Sequence, residues 1–164
     1  MNKVIIYIDG GSRGNPGPSA IGVVIDLSLR AEGEAIPKRL PRAKALAMTK
    51  IGERKEYSKF LGEATNNEAE YQAAIFALKK IKHLIGGEKS EKVVIEIRSD
   101  SELLVKQVNG QYKIKEKNLI PFFIEIWNLK QDFAGVKFVQ ISREENKQAD
   151  LLVNRELNSQ TGLF

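Results

Sequence analysis

Four acidic residues stand where their carboxylates could act together. Asp9 and Asp100 each end an apolar, β-branched run that is typical of a buried strand. Glu70 and Asp150 each lie early in an amphipathic segment, in line with its apolar residues. Inward-facing carboxylates are costly unless a cation neutralises them, and hard oxygen ligands suit Mg²⁺ or Mn²⁺. With no cysteine and a single histidine in the chain to favour zinc, these acids predict a magnesium-type site.

Spacing alone leaves a second interpretation open. Glu70 and Asp150 could simply favour the positive ends of two helices, while Asp9 and Asp100 could cap turns. For one acid taken singly this structural role is the simpler explanation. It is weaker for all four together.

The elements that must position these acids can be predicted from the hydrophobic pattern. Strands are predicted over Val4–Ile8, Ala20–Ile25, Tyr57–Leu61, Val93–Arg98 and Val136–Ile141. Helices are predicted over Thr65–Ile85, Ser101–Val108, Ile120–Phe133 and Asn146–Asn158. Antiparallel strands followed by strand–helix units indicate an α/β fold with a mixed sheet covered by helices.

Local signals support the helix boundaries. Thr65 and Glu68 have the spacing of a capping box, and Asn146 is predicted to cap the last helix. Trp127 lies in an apolar helix, so core packing is its predicted role. His83 is predicted to be a surface or helix-end residue.

Composition limits the class of protein. A chain of 164 residues fits one domain, predicted over residues 1–164. The 26 basic and 21 acidic residues give a net charge of +5, which weakly favours a polyanionic partner. The absence of cysteine favours a reducing, cytoplasmic setting, and the first apolar run is too short for a signal or membrane segment.

A basic insertion is predicted at about residues 27–55, between strands two and three. The stretch from Pro37 to Lys55 has seven basic residues against the single acid Glu53, and Ala43–Ile51 could form a short helix. Such a segment could be a solvated surface excursion, or it could help to hold nucleic acid. The sequence leaves both possibilities open.

Four motifs resemble type 1 ribonuclease H, in its compact archaeal and bacterial branch. They are "YIDGGSRGNPGPSAIGVVI", "TNNEAEYQAAIFAL", "IRSDSELLVKQVNGQYKIKEKNL" and "ISREENKQADLLVN". Together they span nearly the whole chain outside the insertion. The resemblance implies the ribonuclease H-like fold, with a five-stranded mixed sheet of three antiparallel strands followed by parallel ones.

The resemblance also implies an activity: hydrolysis of the RNA strand of RNA–DNA hybrids, leaving 5′-phosphate and 3′-hydroxyl ends. Asp9, Glu70, Asp100 and Asp150 match the family's four catalytic carboxylates, which hold two Mg²⁺ ions, with Mn²⁺ as a substitute. The expected partner is the hybrid, with no membrane, and the expected state is a monomer.

Candidate substrate contacts follow from the same resemblance. Residues matching groove, phosphate or base contacts are Gly11, Ser12, Arg13, Asn15, Thr65, Asn66 and Asn67, with Arg143 in a comparable place in the loop before the last acid. Lys113 is a further candidate, from the basic segment after the third motif. Turn chemistry and helix capping remain alternative roles for several of them. Tyr112, Lys113, Lys115 and Lys117 could line the DNA strand or form a solvated loop.

Two features differ from many relatives. The loop before the last acid has Arg143 where many have a mobile histidine, and Trp127 is not in a basic handle.

Three other functions remain open. They are a same-fold nuclease with a broader duplex substrate such as double-stranded RNA, a non-catalytic hybrid-binding module, and a partner-binding protein whose acids are structural.

Overall fold

A computed structural model of the chain describes residues 2–31 and 53–162. The described residues form one five-stranded sheet. Its strands are β1 (Asn2–Ser12), β2 (Gly17–Ala31), β3 (Arg54–Ala64), β4 (Val93–Ser99) and β5 (Gly135–Gln140).

The spatial order of the strands is β3-β2-β1-β4-β5. Strand β1 pairs antiparallel with β2, which pairs antiparallel with β3. Strands β1, β4 and β5 are parallel. The predicted mixed sheet is therefore confirmed, and the carboxyl ends of β1 and β4 meet at one edge.

Helices cover both faces of this sheet. They are α1 (Asn66–Ile85), the single turn α2 (Gly87–Ser90), α3 (Glu102–Val108), α4 (Ile120–Lys130) and α5 (Lys147–Thr161). Three-residue 3₁₀ turns over Lys117–Leu119 and Glu144–Asn146 precede α4 and α5.

Strand periodicity decides which residues enter the core. Val4, Ile6 and Ile8 alternate along β1, are fully buried and pack in the main cluster with apolar residues of α1. On the opposite face Ala20 of β2 packs with Val153 and other residues of α5. The sheet is thus an apolar layer between α1 and α5, and each of these helices has an acid near its amino end.

Of two roles predicted for side chains on the helices, one changes in the structure. Trp127 is 57% exposed, so the prediction of core packing is wrong. On the same helix Ile126 is almost fully buried, because α4 turns that neighbouring position toward α1 and leaves the tryptophan on the outer face. His83 is exposed, as predicted, in the last turn of α1.

Both ends of the stretch predicted as an insertion are strand. Strand β2 continues through Ala31, and β3 already begins at Arg54. Residues 32–52, including the possible helix Ala43–Ile51, lie outside the described residues. Among the helices that the structure describes, none is long and apolar enough to cross a membrane.

Candidate active site

The carboxyl end of β1 presents the first acid. Asp9 follows Ile8 and is only 8% exposed. At Gly10 a Cβ would lie 2.3 Å from the backbone carbon of Ala69, so β1 and α1 meet there backbone to backbone. This close approach requires glycine, and it brings Glu70 of α1 directly over the end of β1.

Capping fixes where α1 begins and therefore which residues face the sheet. The Thr65 hydroxyl accepts a hydrogen bond from the Glu68 amide at 3.2 Å, and the Glu68 carboxylate accepts one from the Thr65 amide at 2.8 Å. This is the predicted capping box. With the start of the helix set, Glu70 falls on the buried face and is 6% exposed.

The end of β4 supplies the third acid. Strand β4 ends at Ser99, Asp100 follows, and the Ser101 hydroxyl caps α3 by accepting from the Leu104 amide at 3.3 Å. Since β1 and β4 are parallel neighbours, Asp100 comes to the same sheet edge as Asp9.

These three acids form one cluster. Asp9, Glu70 and Asp100 each offer a carboxylate oxygen, and the three oxygens lie within 4.8 Å of one another. Burial raises the pKa of Asp9 to about 7, with further increases from the nearby charges of Asp100 and Asp150. Burial, followed by the charge of Asp9, also raises the pKa of Glu70 well above its usual value.

The cluster fits a divalent cation on two grounds. All its donor atoms are carboxylate oxygens, the ligands that Mg²⁺ prefers. In addition, the Glu70 Oε2 atom is buried and has no hydrogen-bond partner in the structure. A buried carboxylate oxygen without a donor is unfavourable, and a cation would satisfy it.

The fourth acid, Asp150, reaches the cleft from the other face of the sheet. It is exposed, in the first turn of α5, and its charge contributes to the raised pKa of Asp9. Gly22, which pairs with Asp9 in the β1–β2 ladder, sets the position of α5. A Cβ at Gly22 would lie 2.2 Å from the Ala149 carbonyl oxygen, next to Asp150.

We expect Gly22→Ala to lower both stability and activity. The added methyl group would force α5 away from β2, at a cost of about 1–3 kcal/mol in the free energy of unfolding. It would also displace Asp150, the residue after Ala149. Thermal unfolding and a cleavage assay measure the two effects.

Gly135→Ala in β5 is the matched control, because a Cβ there meets nothing within 4 Å. We expect this variant to keep wild-type stability and activity. A Gly22→Ala protein with the wild-type melting temperature would show that α5 does not depend on this contact.

The four acids line one open cleft of about 480 Å³. Of the predicted substrate contacts, Gly11, Ser12, Arg13, Asn66 and Arg143 also line it. The Arg143 side chain is 95% exposed, and its Nε atom lies 3.8 Å from an Asp100 oxygen. The structure thus brings acids and candidate substrate contacts into one cleft, with the exposed Arg143 guanidinium at its rim.

The loop after β1 is held from both sides of the cleft. Asn15 accepts a hydrogen bond from the Asn66 amide at 3.1 Å, which ties the loop to the start of α1. The Arg13 guanidinium donates to the side chain of Asn158 on α5. Asn15 therefore supports the loop, although it does not itself line the cleft.

Other predicted contacts lie beside the cleft. Asn67 donates to Glu116 at 2.9 Å, close to the segment after α3. Lys113 lines a separate groove of about 450 Å³, together with Tyr112, Lys115 and Glu116. The structure does not bring Lys113 into the acid cluster.

Asn146 is a polar residue of the site whose role the sequence did not indicate. It stands at the predicted cap position of α5, but its side chain makes no capping hydrogen bond. Instead its amide nitrogen donates to the Ile8 carbonyl at 2.8 Å and to an Asp100 oxygen at 3.1 Å. Asparagine is common at caps, so the sequence held no signal for this tertiary role.

Comparison with known proteins agrees with the fold. A family model described as Reverse transcriptase-like matches residues 42–156. The structure of LC11-RNase H1 in complex with RNA/DNA hybrid is 38% identical in sequence. It has a TM-score of 0.75 and covers 96% of this chain and 99% of that one. LC11-RNase H1 was isolated from compost by a metagenomic approach.

A second structure, RNase H1 of Halobacterium salinarum, is 30% identical with a TM-score of 0.74. It covers 96% of this chain and 98% of that one. The mixed sheet, the matching family model and these two structures place the chain in the ribonuclease H-like class of folds. The chain belongs to the type 1 ribonuclease H family.

Some relatives are much longer than this chain. A bifunctional protein of Mycobacterium tuberculosis is 30% identical over 157 residues, which is 96% of this chain but 36% of the relative. The chain therefore spans about a third of the length of that curated relative.

Proposed function

We propose that this chain hydrolyses the RNA strand of RNA–DNA hybrids in a reaction that depends on Mg²⁺. The observation that supports this most directly is the cluster of Asp9, Glu70 and Asp100, with its buried and unpartnered Glu70 oxygen, in the lining of an open cleft. The likeness to LC11-RNase H1, whose structure is of a complex with RNA/DNA hybrid, supports the substrate.

Asp9, Glu70 and Asp100 would hold the metal, and Asp150 would complete its ligands from α5. When bound, two such ions supply an activated water and stabilise the leaving 3′-oxygen, which leaves 5′-phosphate and 3′-hydroxyl ends. A bound cation would favour the ionised form of Asp9, since a nearby positive charge lowers the raised pKa of its carboxyl group.

The chain performs this reaction without a histidine in the cleft. His83 is the only histidine, and it lies 13 residues after Glu70 on α1, or about 20 Å along the helix. Arg143 stands at the rim of the cleft instead, and its side chain, which is exposed and lies 3.8 Å from an Asp100 oxygen, could meet a phosphate. Its positive charge also lowers the pKa of Asp9 slightly against the effects that raise it.

Residues along the cleft would select the sugar. Gly11 and Ser12, the last two residues of β1, line the cleft beside Asp9, where a backbone without bulky side chains lets a nucleic-acid strand approach. Contacts in the wide minor groove can distinguish RNA from DNA by its 2′-hydroxyl groups. We propose that Arg13, Asn15 and Asn66 help to hold the minor groove of the hybrid against the protein.

Thr65 would contact a phosphate through its hydroxyl proton. Its hydroxyl oxygen accepts from the Glu68 amide, and the hydroxyl proton, which the Glu68 carboxylate accepts in this structure, would turn to the phosphate when nucleic acid binds. A phosphate oxygen is a suitable acceptor. Asn67, in the first turn of α1, would make a further contact with the nucleic acid. The groove lined by Tyr112 and Lys113 would contact the DNA strand.

A gel assay tests the proposed function. Purified protein is incubated with end-labelled RNA–DNA hybrid, duplex RNA or duplex DNA, with Mg²⁺ or with EDTA. We expect cleavage only of the RNA strand of the hybrid, and only with Mg²⁺. Cleavage of duplex RNA at a similar rate would favour the broader nuclease, and binding without cleavage would favour a non-catalytic module.

We also propose that the enzyme is monomeric and cytoplasmic.

We expect 2′-deoxy substitution around the scissile phosphate to block cutting there. Removing those hydroxyls removes the groups that distinguish RNA from DNA, while the charge of the strand is unchanged. The measurement is the cleavage pattern of a hybrid with four consecutive deoxynucleotides in its RNA strand. The flanking ribonucleotides of the same strand are the internal control, and cutting within the deoxy block at the ribonucleotide rate would contradict the prediction.

A further inference from the structure

The side chain of Asn146 connects the segments that present three of the four acids. It donates to the Ile8 carbonyl, which belongs to the peptide bond leading into Asp9, and to a carboxylate oxygen of Asp100. Its own position, directly before α5, is four residues ahead of Asp150. One buried carboxamide thus joins the ends of β1 and β4 to the start of α5.

The contact lies just beyond the point where the pairing between β1 and β4 ends. The β1–β4 ladder ends at the pair Tyr7 and Arg98, one residue before Ile8. Beyond that pair β1 and β4 are not paired with each other. Asn146 supplies a hydrogen-bond donor to the Ile8 carbonyl at this point.

The chemistry of the position requires an amide. Both partners of Asn146, a carbonyl oxygen and a carboxylate oxygen, are acceptors, so the group between them must donate two protons. The asparagine NH₂ group does so, whereas an aspartate of the same size has no proton to offer when ionised. The side chain is 1% exposed, so water does not compensate a lost bond.

The side-chain oxygen of Asn146 also indicates a role in the site rather than in helix capping. Asn146 Oδ1 is buried and has no hydrogen-bond partner. Leaving a buried acceptor unpaired costs free energy, and no capping bond to α5 offsets that cost. A residue selected for stability alone would use this oxygen as a helix cap, as Thr65 does for α1.

We propose that Asn146 is a positioning residue of the active site. It sets the separation of Asp9 and Asp100 and orients the Asp100 carboxylate for the cation. This inference rests on the proposed function, and it concerns a residue that does not itself touch the metal or the substrate. Groups that orient metal ligands typically change metal affinity or activity by about 10- to 100-fold when they are altered.

Two substitutions test the proposal. Asn146→Asp keeps size and shape but places an anion beside Asp100, and Asn146→Ser shortens the side chain and leaves one proton to donate. For Asn146→Asp we expect Mg²⁺ affinity, measured by calorimetry without nucleic acid, to fall by about 10- to 100-fold. We expect kcat on hybrid to fall by a similar factor with KM for the hybrid unchanged, and a smaller loss for Asn146→Ser.

Asn109→Ala is the matched control. Asn109 donates to the Phe138 carbonyl at 3.0 Å, so it also bonds a strand carbonyl, but on β5 and away from the acids. We expect this variant to lose stability while keeping wild-type Mg²⁺ affinity and kcat. Circular dichroism confirms that each variant is folded at the temperature of the titration.

The outcomes separate the two proposals. Wild-type Mg²⁺ affinity in folded Asn146→Asp and Asn146→Ser would overturn the positioning role, and so would equal losses in Asn109→Ala. If Asn146→Asp does not fold, Asn146→Ser decides alone. If the wild-type protein binds Mg²⁺ but cleaves no hybrid, the proposed function fails, while the calorimetric comparison still decides the role of Asn146.

Discussion

We expect Asp9→Asn and Asp100→Asn each to reduce hybrid cleavage by about 10³-fold or more, while hybrid binding stays nearly unchanged. Both residues belong to the buried cluster whose oxygens lie within 4.8 Å of one another. Asparagine keeps the shape of the side chain but removes the charge that attracts a divalent cation. Turnover of labelled hybrid and fluorescence anisotropy in EDTA measure the two quantities.

Asp132→Asn is the matched control for these variants. Asp132 pairs with Lys82 at 2.8 Å, at the surface beyond the end of α4, so this change removes a carboxylate without touching the cleft. We expect wild-type turnover from it. Near-normal turnover of Asp9→Asn would show that the acid cluster takes no part in catalysis, even though the fold is that of a ribonuclease H.

A second large effect is expected in the stability of the metal-free protein. In EDTA the melting temperature should fall as the pH rises from 5 to 8, because Asp9 and Glu70 have raised pKa values in the folded state. The folded state then binds more protons than the unfolded state, so added base favours unfolding. Acids with lowered pKa values, such as Glu68, are already ionised in both states over this range.

The size of this effect can be estimated for Asp9. A pKa raised from 3.8 to about 7 corresponds to a loss of about 4 kcal/mol in the free energy of unfolding once the pH exceeds both values. Asp9→Asn removes this penalty. At pH 8 in EDTA we expect the variant to melt higher than wild type by about 10 °C.

Differential scanning calorimetry at pH 5, 6, 7 and 8 tests this expectation. The difference between variant and wild type should be small at pH 5 and should grow with pH. Saturating Mg²⁺ should stabilise the wild-type protein more than the variant, since only the wild type has the full set of ligands. A flat wild-type profile in EDTA, or a variant less stable at pH 8, would contradict the assigned electrostatics of the cluster.

Sequence patterns predicted the order of the elements because the relevant signals are local. The alternation in β1 and the capping box at Thr65 depend on neighbouring residues, and the structure has both. The inward position of Glu70 follows from the same helical period. These features could be predicted before any tertiary contact was known.

The rest of the site depends on contacts between distant parts of the chain. Asn146 has the residue type of a helix cap, yet the distant groups Ile8 and Asp100 take its amide protons. Trp127 has apolar neighbours, yet the side of α4 on which it lies is decided by where α1 packs. Lys113 belongs to a motif that contains Asp100, but the chain carries it into a separate groove. Local patterns contain no information about such pairings.

The two glycines beneath the helices have a consequence for protein engineering. At Gly10 and Gly22 the helices α1 and α5 rest on strand backbone, with no side chain between them. The contact distance there is set by the radii of main-chain atoms, which are the same for every amino acid. Hydrophobic residues elsewhere in the two cores can therefore be exchanged for others of similar volume without changing the spacing of the acids, so a redesigned core with these two glycines should retain a working cleft.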